Sequence, residues 1–166
     1  MRRIARFEKV SLNQFEKDFG LNTEVTTATI YDTVTLPKRA TAGSAGYDFY
    51  APVGFTLAPG ESIKIATAIR AQMEDGWVLK IYPRSGLGFK YRVQLNNTVG
   101  IIDSDYYYSD NEGHIQIKIT NDSKEGKILT VKKGEAFAQG IFSEYGITYD
   151  DDVTAVRNGG FGSTSK

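Results

Sequence analysis

His114-Ile115-Gln116-Ile117-Lys118-Ile119-Thr120 alternates polar and apolar side chains with a period of two. Only an extended strand puts such residues on opposite faces, so the isoleucines mark a core-facing side. β-Branched and aromatic residues repeat the signal on both sides of this segment. Strands are expected at Thr26 to Leu36, Gly54 to Leu57, Ser62 to Met73, Trp77 to Tyr82, Arg92 to Leu95, His114 to Thr120, Lys127 to Val131 and Phe137 to Phe142. Ala58-Pro59-Gly60-Glu61 and Lys132-Lys133-Gly134-Glu135 are turn signals between them. Many short strands with regular punctuation predict an all-β fold, a distorted jelly-roll-like β-barrel or sandwich.

The two ends read differently. Ser11 to Phe19 predicts a short helix. Ser11 and Gln14 form a capping box, Val10 and Phe15 a hydrophobic staple, and Gly20 the stop. Residues 1–22 are thus a helical extension of one β domain spanning residues 1–150. Residues 151–166 end in Arg157-Asn158-Gly159-Gly160-Phe161-Gly162-Ser163-Thr164-Ser165-Lys166. Three glycines in four positions make ordering costly in entropy. This tail is either a flexible terminus or a mobile flap that orders over a ligand. As a flap it would stack Phe161 on a ring and hold anionic oxygens with Arg157, Ser163 and Thr164.

Composition removes several classes of function. At 166 residues the chain is expected to form one domain large enough to need no staples. It has no cysteine, which excludes disulfides and thiolate metal sites. Its single histidine, His114, excludes sites that need two. Twenty basic and twenty acidic side chains cancel, which argues against a basic nucleic-acid surface. No long apolar run follows Met1-Arg2-Arg3-Ile4-Ala5-Arg6, so no signal peptide or membrane span is expected, and the location expected is cytoplasmic.

The chemistry-bearing stretches are scattered along the strands. Pro83-Arg84-Ser85-Gly86-Leu87-Gly88 reads as a glycine-opened turn that offers N–H groups, a hydroxyl and a guanidinium to phosphate, or as a structural turn. It is not a Walker A loop. Gly100-Ile101-Ile102-Asp103-Ser104-Asp105-Tyr106 is an apolar run ending in a carboxylate, with a ring three residues on. Asp103 there is a candidate base or a plain turn aspartate. Tyr106 is a core aromatic or a platform for a sugar. Asp48 closes the small-residue run Ala40 to Tyr47, and Gln139 follows the Gly134-Glu135 turn on a strand.

Their order is more telling than any one of them. A small-residue carboxylate, PRSGLG, GIIDSDY, GExxAQ and RxxGGFGST in succession resemble the trimeric deoxyuridine triphosphatase (dUTPase) family over about residues 26 to 164. The resemblance implies hydrolysis of dUTP to dUMP and pyrophosphate by water attack on the α-phosphorus, limiting uracil in DNA and supplying dUMP for dTMP synthesis. It assigns Asp103 as the residue that activates the water, with Asp48 and Gln139 supporting. Asn97, Gly100 and Ile102 fall in the hairpin that reads uracil. Tyr106 matches the ring that stacks on deoxyribose and rejects ribonucleotides. Arg84, Ser85 and Gly86 match phosphate contacts. Arg157, Phe161, Gly162, Ser163 and Thr164 match the flap. The resemblance further implies one Mg²⁺ held by phosphates and waters with no direct protein ligand, and a homotrimer with shared active sites.

The chain also departs from the family pattern. A glycine commonly follows the motif tyrosine by two residues; here Tyr107-Tyr108-Ser109-Asp110-Asn111-Glu112-Gly113 intervenes. That loop is expected to bulge to the surface, and would be the place for a regulatory protein partner. Rival readings are a dCTP deaminase on the same fold, a non-catalytic phage-type regulator, and a single-strand nucleic-acid binder disfavoured by the zero net charge.

Overall fold

The computed structural model describes residues 2–20, 26–157 and 159. In chain order the elements are β1 (Ala5–Lys9), α1 (Leu12–Phe19), α2 (Thr27–Asp32), β2 (Lys38–Arg39), β3 (Tyr47–Tyr50), β4 (Phe55–Leu57), β5 (Ser62–Ala66) and β6 (Ile69–Met73). There follow β7 (Trp77–Pro83), α3 (Ser85–Tyr91), β8 (Val93–Leu95), β9 (Gly100–Ile102), a 3₁₀ turn (Ser104–Tyr108), β10 (Gln116–Asn121), β11 (Leu129–Val131) and β12 (Ala136–Glu144). A five-stranded sheet runs β2-β3-β12-β7-β9, a three-stranded sheet β5-β10-β8, and β1-β6 and β11-β4 are pairs. All the pairings are antiparallel. The all-β class read from the alternation is the class observed. Among the described residues no helix is long and apolar enough to cross a membrane.

The alternation of β10 works as expected: Ile117 and Ile119 are buried, as is Ile115 just before it. They join Leu79 and Ile81 of β7, Phe49 of β3 and Phe137 of β12 in one core. Full burial of each such side chain stabilises by about 1.5–3 kcal/mol. The sheet is so tightly covered at β12 that a Cβ on Gly140 would lie 2.9 Å from Leu79 Cδ1 and 3.0 Å from Phe49 Cε2.

The N-terminal elements build a second cluster from Val10, Phe15, Ile30, Ala66 and Ala68. Val10 and Phe15 are both fully buried, as a staple requires. Ser11 Oγ accepts the Gln14 N–H at 3.1 Å, and Gly20 closes α1 at φ 66°. The capping box is only half made. The Ser11 N–H goes to Glu112 at 2.7 Å, and the Gln14 amide donates to Asp18 at 2.7 Å instead.

Four local expectations are corrected. Thr26 to Leu36 is not a strand: Thr26 Oγ1 accepts the Thr29 N–H and α2 follows, with Ile30 buried beside Phe15. Tertiary packing overrides the β-propensity of its threonines. Ser62 to Met73 is two strands in two sheets, broken where Ala68 takes φ 62°. An alanine in that region gives no sequence signal. The turn at Ser85 to Gly88 is the first part of helix α3. Finally, the segment Tyr107 to Gly113 does not bulge: only Tyr108 and Asp110 in it are exposed, because Glu112, Tyr107 and their neighbours bind β1 and α1. Strand β1 itself was not legible in the sequence.

His114 ties these parts together. It is fully buried; Nε2 accepts the Ala68 N–H at 2.9 Å, which leaves Nδ1 to donate its proton to Asp18 at 2.6 Å. Burial pushes its pKa below 6.5, outweighing Asp18 and Glu112, which raise it, while Lys64 adds to the lowering. A depressed histidine pKa means that the unfolded chain binds the proton first. The neutral ring therefore contributes its full stability above pH 6.5, and that contribution is lost as pH falls from there through the lower folded pKa. Thermal melts between pH 7.5 and 5 should show Tm falling below about pH 6.5, and His114→Gln should flatten that part of the profile even if its Tm is lower throughout.

Candidate active site

Most of the candidate side chains gather at opposite ends of β7. At the Pro83 end, β12 and β3 set Gln139 opposite both Tyr82 and Asp48. Gln139 Nε2 donates to Pro83 O at 3.1 Å. Arg84, the residue before α3, pairs through Nε with Asp48 Oδ1 at 3.2 Å. Ser85, Gly88 and Gln139 share a shallow depression with Arg84. One guanidinium, one hydroxyl and one amide thus face a common space, which is a donor set suited to anionic oxygens. Gly46 completes this end, since a Cβ there would meet Gln139 Oε1 at 2.7 Å.

Asp103 is at the other end. Ile102 pairs with Leu79, so Asp103 continues past β9 alongside Val78. It is half-exposed and accepts Arg157 Nη2 at 2.5 Å. Arg157 Nε also binds Asp105 Oδ1 at 2.9 Å, and its guanidinium carbon lies 5.8 Å from the Tyr106 ring centroid. That distance is within the range for a cation–π contact. Tyr106 is buried, with its O–H donating to His114 O at 2.9 Å. Burial raises its phenol pKa, against the hydrogen bond from Asn111, which lowers it. The hydroxyl faces inward, toward His114 O and Asn111.

Between β8 and β9 the chain opens a slot. β8 pairs with β10 while β9 pairs with β7, so the two arms belong to different sheets. The cavity between them is about 330 Å³ and is lined by Asn97, Gly100, Ile102, Leu95, Ile117 and others. Aliphatic side chains form most of its wall, and Asn97 and the backbone supply polar groups. The loop at its tip is strained: Thr98, a β-branched residue, takes φ 67° with its N–H on Leu95 O at 2.9 Å.

A family model described as dUTPase matches residues 32–165. The chain belongs to the dUTPase family. The deoxyuridine 5'-triphosphate nucleotidohydrolase of Lactococcus lactis subsp. lactis is 41% identical over 134 residues, which covers 79% of this chain and 88% of that enzyme. The same enzyme of Tolumonas auensis is 37% identical over 139 residues, covering 79% and 87%. The crystal structure of dUTPase from Streptococcus mutans aligns with a TM-score of 0.64 at 31% identity, covering 86% of this chain and 97% of that one. The enzyme is a dUTP diphosphatase: it hydrolyses dUTP to dUMP and pyrophosphate.

Within this dUTPase the sequence-derived site residues fall into three groups. Asp48, Arg84, Ser85, Gly86 and Gln139 sit at or beside the Pro83 end of β7. Asp103, Tyr106 and Arg157 sit at the Trp77 end, and Asn97, Gly100 and Ile102 line the slot. Phe161, Gly162, Ser163 and Thr164 lie outside the described residues. Sequence reasoning gave Asp105 no role, and missed Gly46. The small-residue run that contains Gly46 was the available signal. Gly46→Ala should push the Gln139 amide off Pro83 O and lower kcat/KM for dUTP about 10- to 100-fold, with Tm little changed because the displaced group is a flexible side-chain end. Steady-state kinetics beside a thermal melt checks it.

Proposed function

We propose that this dUTPase works as a homotrimer whose active sites are shared between subunits, with Asp103 as the general base. The observation that carries the reading is the register of β7. Asp103 lies beside Val78, while Ser85 follows Pro83 at the far end of the same strand. At about 3.3 Å per residue the two are ~20 Å apart within one chain. A base must come within about 3 Å of its water, and that water must reach a phosphorus held by the phosphate contacts. One chain cannot bring these groups together. A neighbouring copy that offers its Arg84, Ser85, Gly86 and Gln139 to this chain's Asp103 can, by a heterologous contact that closes into a ring.

In this reading uracil enters the slot between β8 and β9, where the hairpin presents a donor to O4. The amino group of cytosine cannot accept it. Deoxyribose lies on the Tyr106 ring, which leaves no space for a 2′-hydroxyl. The triphosphate extends toward the second copy's donors. Asp103 accepts a proton from water, the water oxygen bonds to the α-phosphorus, and the bond to pyrophosphate breaks. Arg157 holds Asp103 through Oδ2, and its departure would leave both carboxylate oxygens open to water. Phosphate oxygens are the competing acceptor, and the flap residues Phe161, Gly162, Ser163 and Thr164 would travel with Arg157. Asp48 would keep Arg84 aimed at the phosphates.

A Mg²⁺ fits this donor set as a companion of the substrate. Arg84, Ser85 and Gln139 favour anions, and the described residues hold no cluster of three His, Cys, Asp or Glu. Phosphate oxygens and waters would hold the ion, which would offset triphosphate charge. A soluble cytoplasmic setting follows from a nucleotide substrate. A regulatory protein docking on Tyr107 to Gly113 would have Tyr108 and Asp110 to grip.

Complementation tests the shared site. Asp103→Asn and Ser85→Ala should each lower kcat by ~10² or more. Refolded together as a 1:1 mixture, they should regain activity at about a quarter of the sites, because each intact site needs Asp103 from one copy and Ser85 from another. No recovery would mean that each site is built from one chain. Truncation before Arg157 should cripple turnover of dUTP while leaving circular dichroism and mass unchanged apart from the lost residues. A truncated enzyme with full activity would remove the flap from the mechanism.

A further inference from the structure

The tyrosine proposed to face deoxyribose is held from behind. Its O–H donates to His114 O at 2.9 Å, and its oxygen accepts Asn111 Nδ2 at 2.8 Å. Asn111 Oδ1 accepts the Gly113 N–H at 3.2 Å, which orients the amide so that its NH₂ meets the phenol. Gly113 takes φ 69°, and a Cβ there would lie 2.7 Å from both Tyr106 O and Tyr107 Cα. The segment is therefore folded hard against the 3₁₀ turn that carries the ring.

That segment is clamped in turn by the start of the chain. The Glu112 carboxylate accepts the Ser11 N–H at 2.7 Å and the Ser11 hydroxyl at 2.6 Å. His114 Nδ1 donates to Asp18 at 2.6 Å, and the Tyr107 hydroxyl donates to Glu8 at 2.5 Å. Ser11 also caps α1, so the helix and the clamp share one side chain. β1 and α1 precede residues 32–165, the part that matches the family model.

We propose that β1 and α1, acting through residues 107–114, are a positioning device for the Tyr106 ring, and that they set how strictly the enzyme rejects ribonucleotides. Asn111, His114 and Asp18 are positioning residues in this device. The inference rests on the reading of Tyr106 as the sugar platform. Steric exclusion of one hydroxyl depends on a ring that cannot retreat. A ring held only by its own side-chain torsions can rotate or sink and admit the extra oxygen. The hydrogen bonds from Asn111 and to His114 O fix the depth of the phenol, while Asp18 and Glu112 keep those partners in place through a helix with its own buried face.

The test is the ratio of kcat/KM for dUTP to that for UTP, measured on the intact full-length enzyme. Asn111→Ala, Asp18→Ala and Tyr106→Phe should each lower the ratio about tenfold, mostly through better use of UTP. In the Asn111 and Asp18 variants kcat for dUTP should stay near wild type. Asp18→Asn, whose amide oxygen can still accept from His114 Nδ1, should restore the ratio. Adding Asn111→Ala to Tyr106→Phe should lower it little further than Tyr106→Phe alone, since that variant already lacks the hydroxyl that Asn111 binds. Tyr106→Ala separates the two levels of the argument. If it abolishes discrimination while Asn111→Ala and Tyr106→Phe leave the ratio intact, the brace is refuted and the platform stands. If Tyr106→Ala leaves the ratio unchanged, the platform reading falls and the brace with it. Should Asp18→Ala not fold, the Asn111→Ala and Tyr106→Phe variants decide the matter, because each acts directly on the hydrogen bonds of the phenol.

Discussion

The antiparallel pairing of β7 with β12 on one side and β9 on the other is the constraint from which the site follows. Each pairing is fixed by burial. A shift of one residue would turn Leu79 and Ile81 out of the core and bring Lys80 in, reversing the faces of the whole strand. Gly140 reinforces the lock, since the strand carrying it packs so close to Leu79 and Phe49 that no side chain fits there. With this register in place, the phosphate-type donors and Asp103 cannot meet within one chain. A purely structural property of a core strand thus leads to the proposal that catalysis belongs to an assembly.

Both ends of β7 carry a guanidinium against a carboxylate. Arg84 binds Asp48, and Arg157 binds Asp103. In each pair one member is close to half-exposed, so water screens the attraction, and pairs of this kind are worth about 0–1 kcal/mol. Such contacts hold side chains ready without holding them fast. A triphosphate with several anionic oxygens is a stronger competitor for a guanidinium than one carboxylate. The N-terminal clamp has the opposite character. His114 is fully buried with both ring nitrogens bonded, and leaving either partner unmatched would cost more than a surface pair ever contributes. The molecule therefore has exchangeable charge pairs at the proposed chemistry and a fixed polar network behind the proposed sugar platform.

Much of this was legible in the sequence because its signals are local. The alternation through Ile115, Ile117 and Ile119 gave a strand, and the staple of Val10 on Phe15 with Gly20 gave a helix. The five motifs carried the family because their residue types and order survive without any knowledge of contacts. The misreadings share a cause. Thr26 to Leu36 looked like a strand, because the pull of Ile30 toward Phe15 comes from another helix. Ala68 gave no hint of its positive φ, because what stabilises it is the imidazole of His114, 46 residues away. The loop after Tyr106 looked like a surface bulge, because its partners Glu8 and Ser11 lie about a hundred residues earlier in the chain.

The chain by itself determined the all-β class, the helix at its start, the dUTPase family and the residue types available for chemistry, since each is written in short-range pattern and motif order. Tertiary structure alone decided where those residues stand: Asp103 and Ser85 at opposite ends of one strand, Arg157 on Asp103, Tyr106 pinned by Asn111 and His114. The physical reason is that sheet register and long-range hydrogen bonds join groups far apart in sequence, and no local window of residues contains both partners.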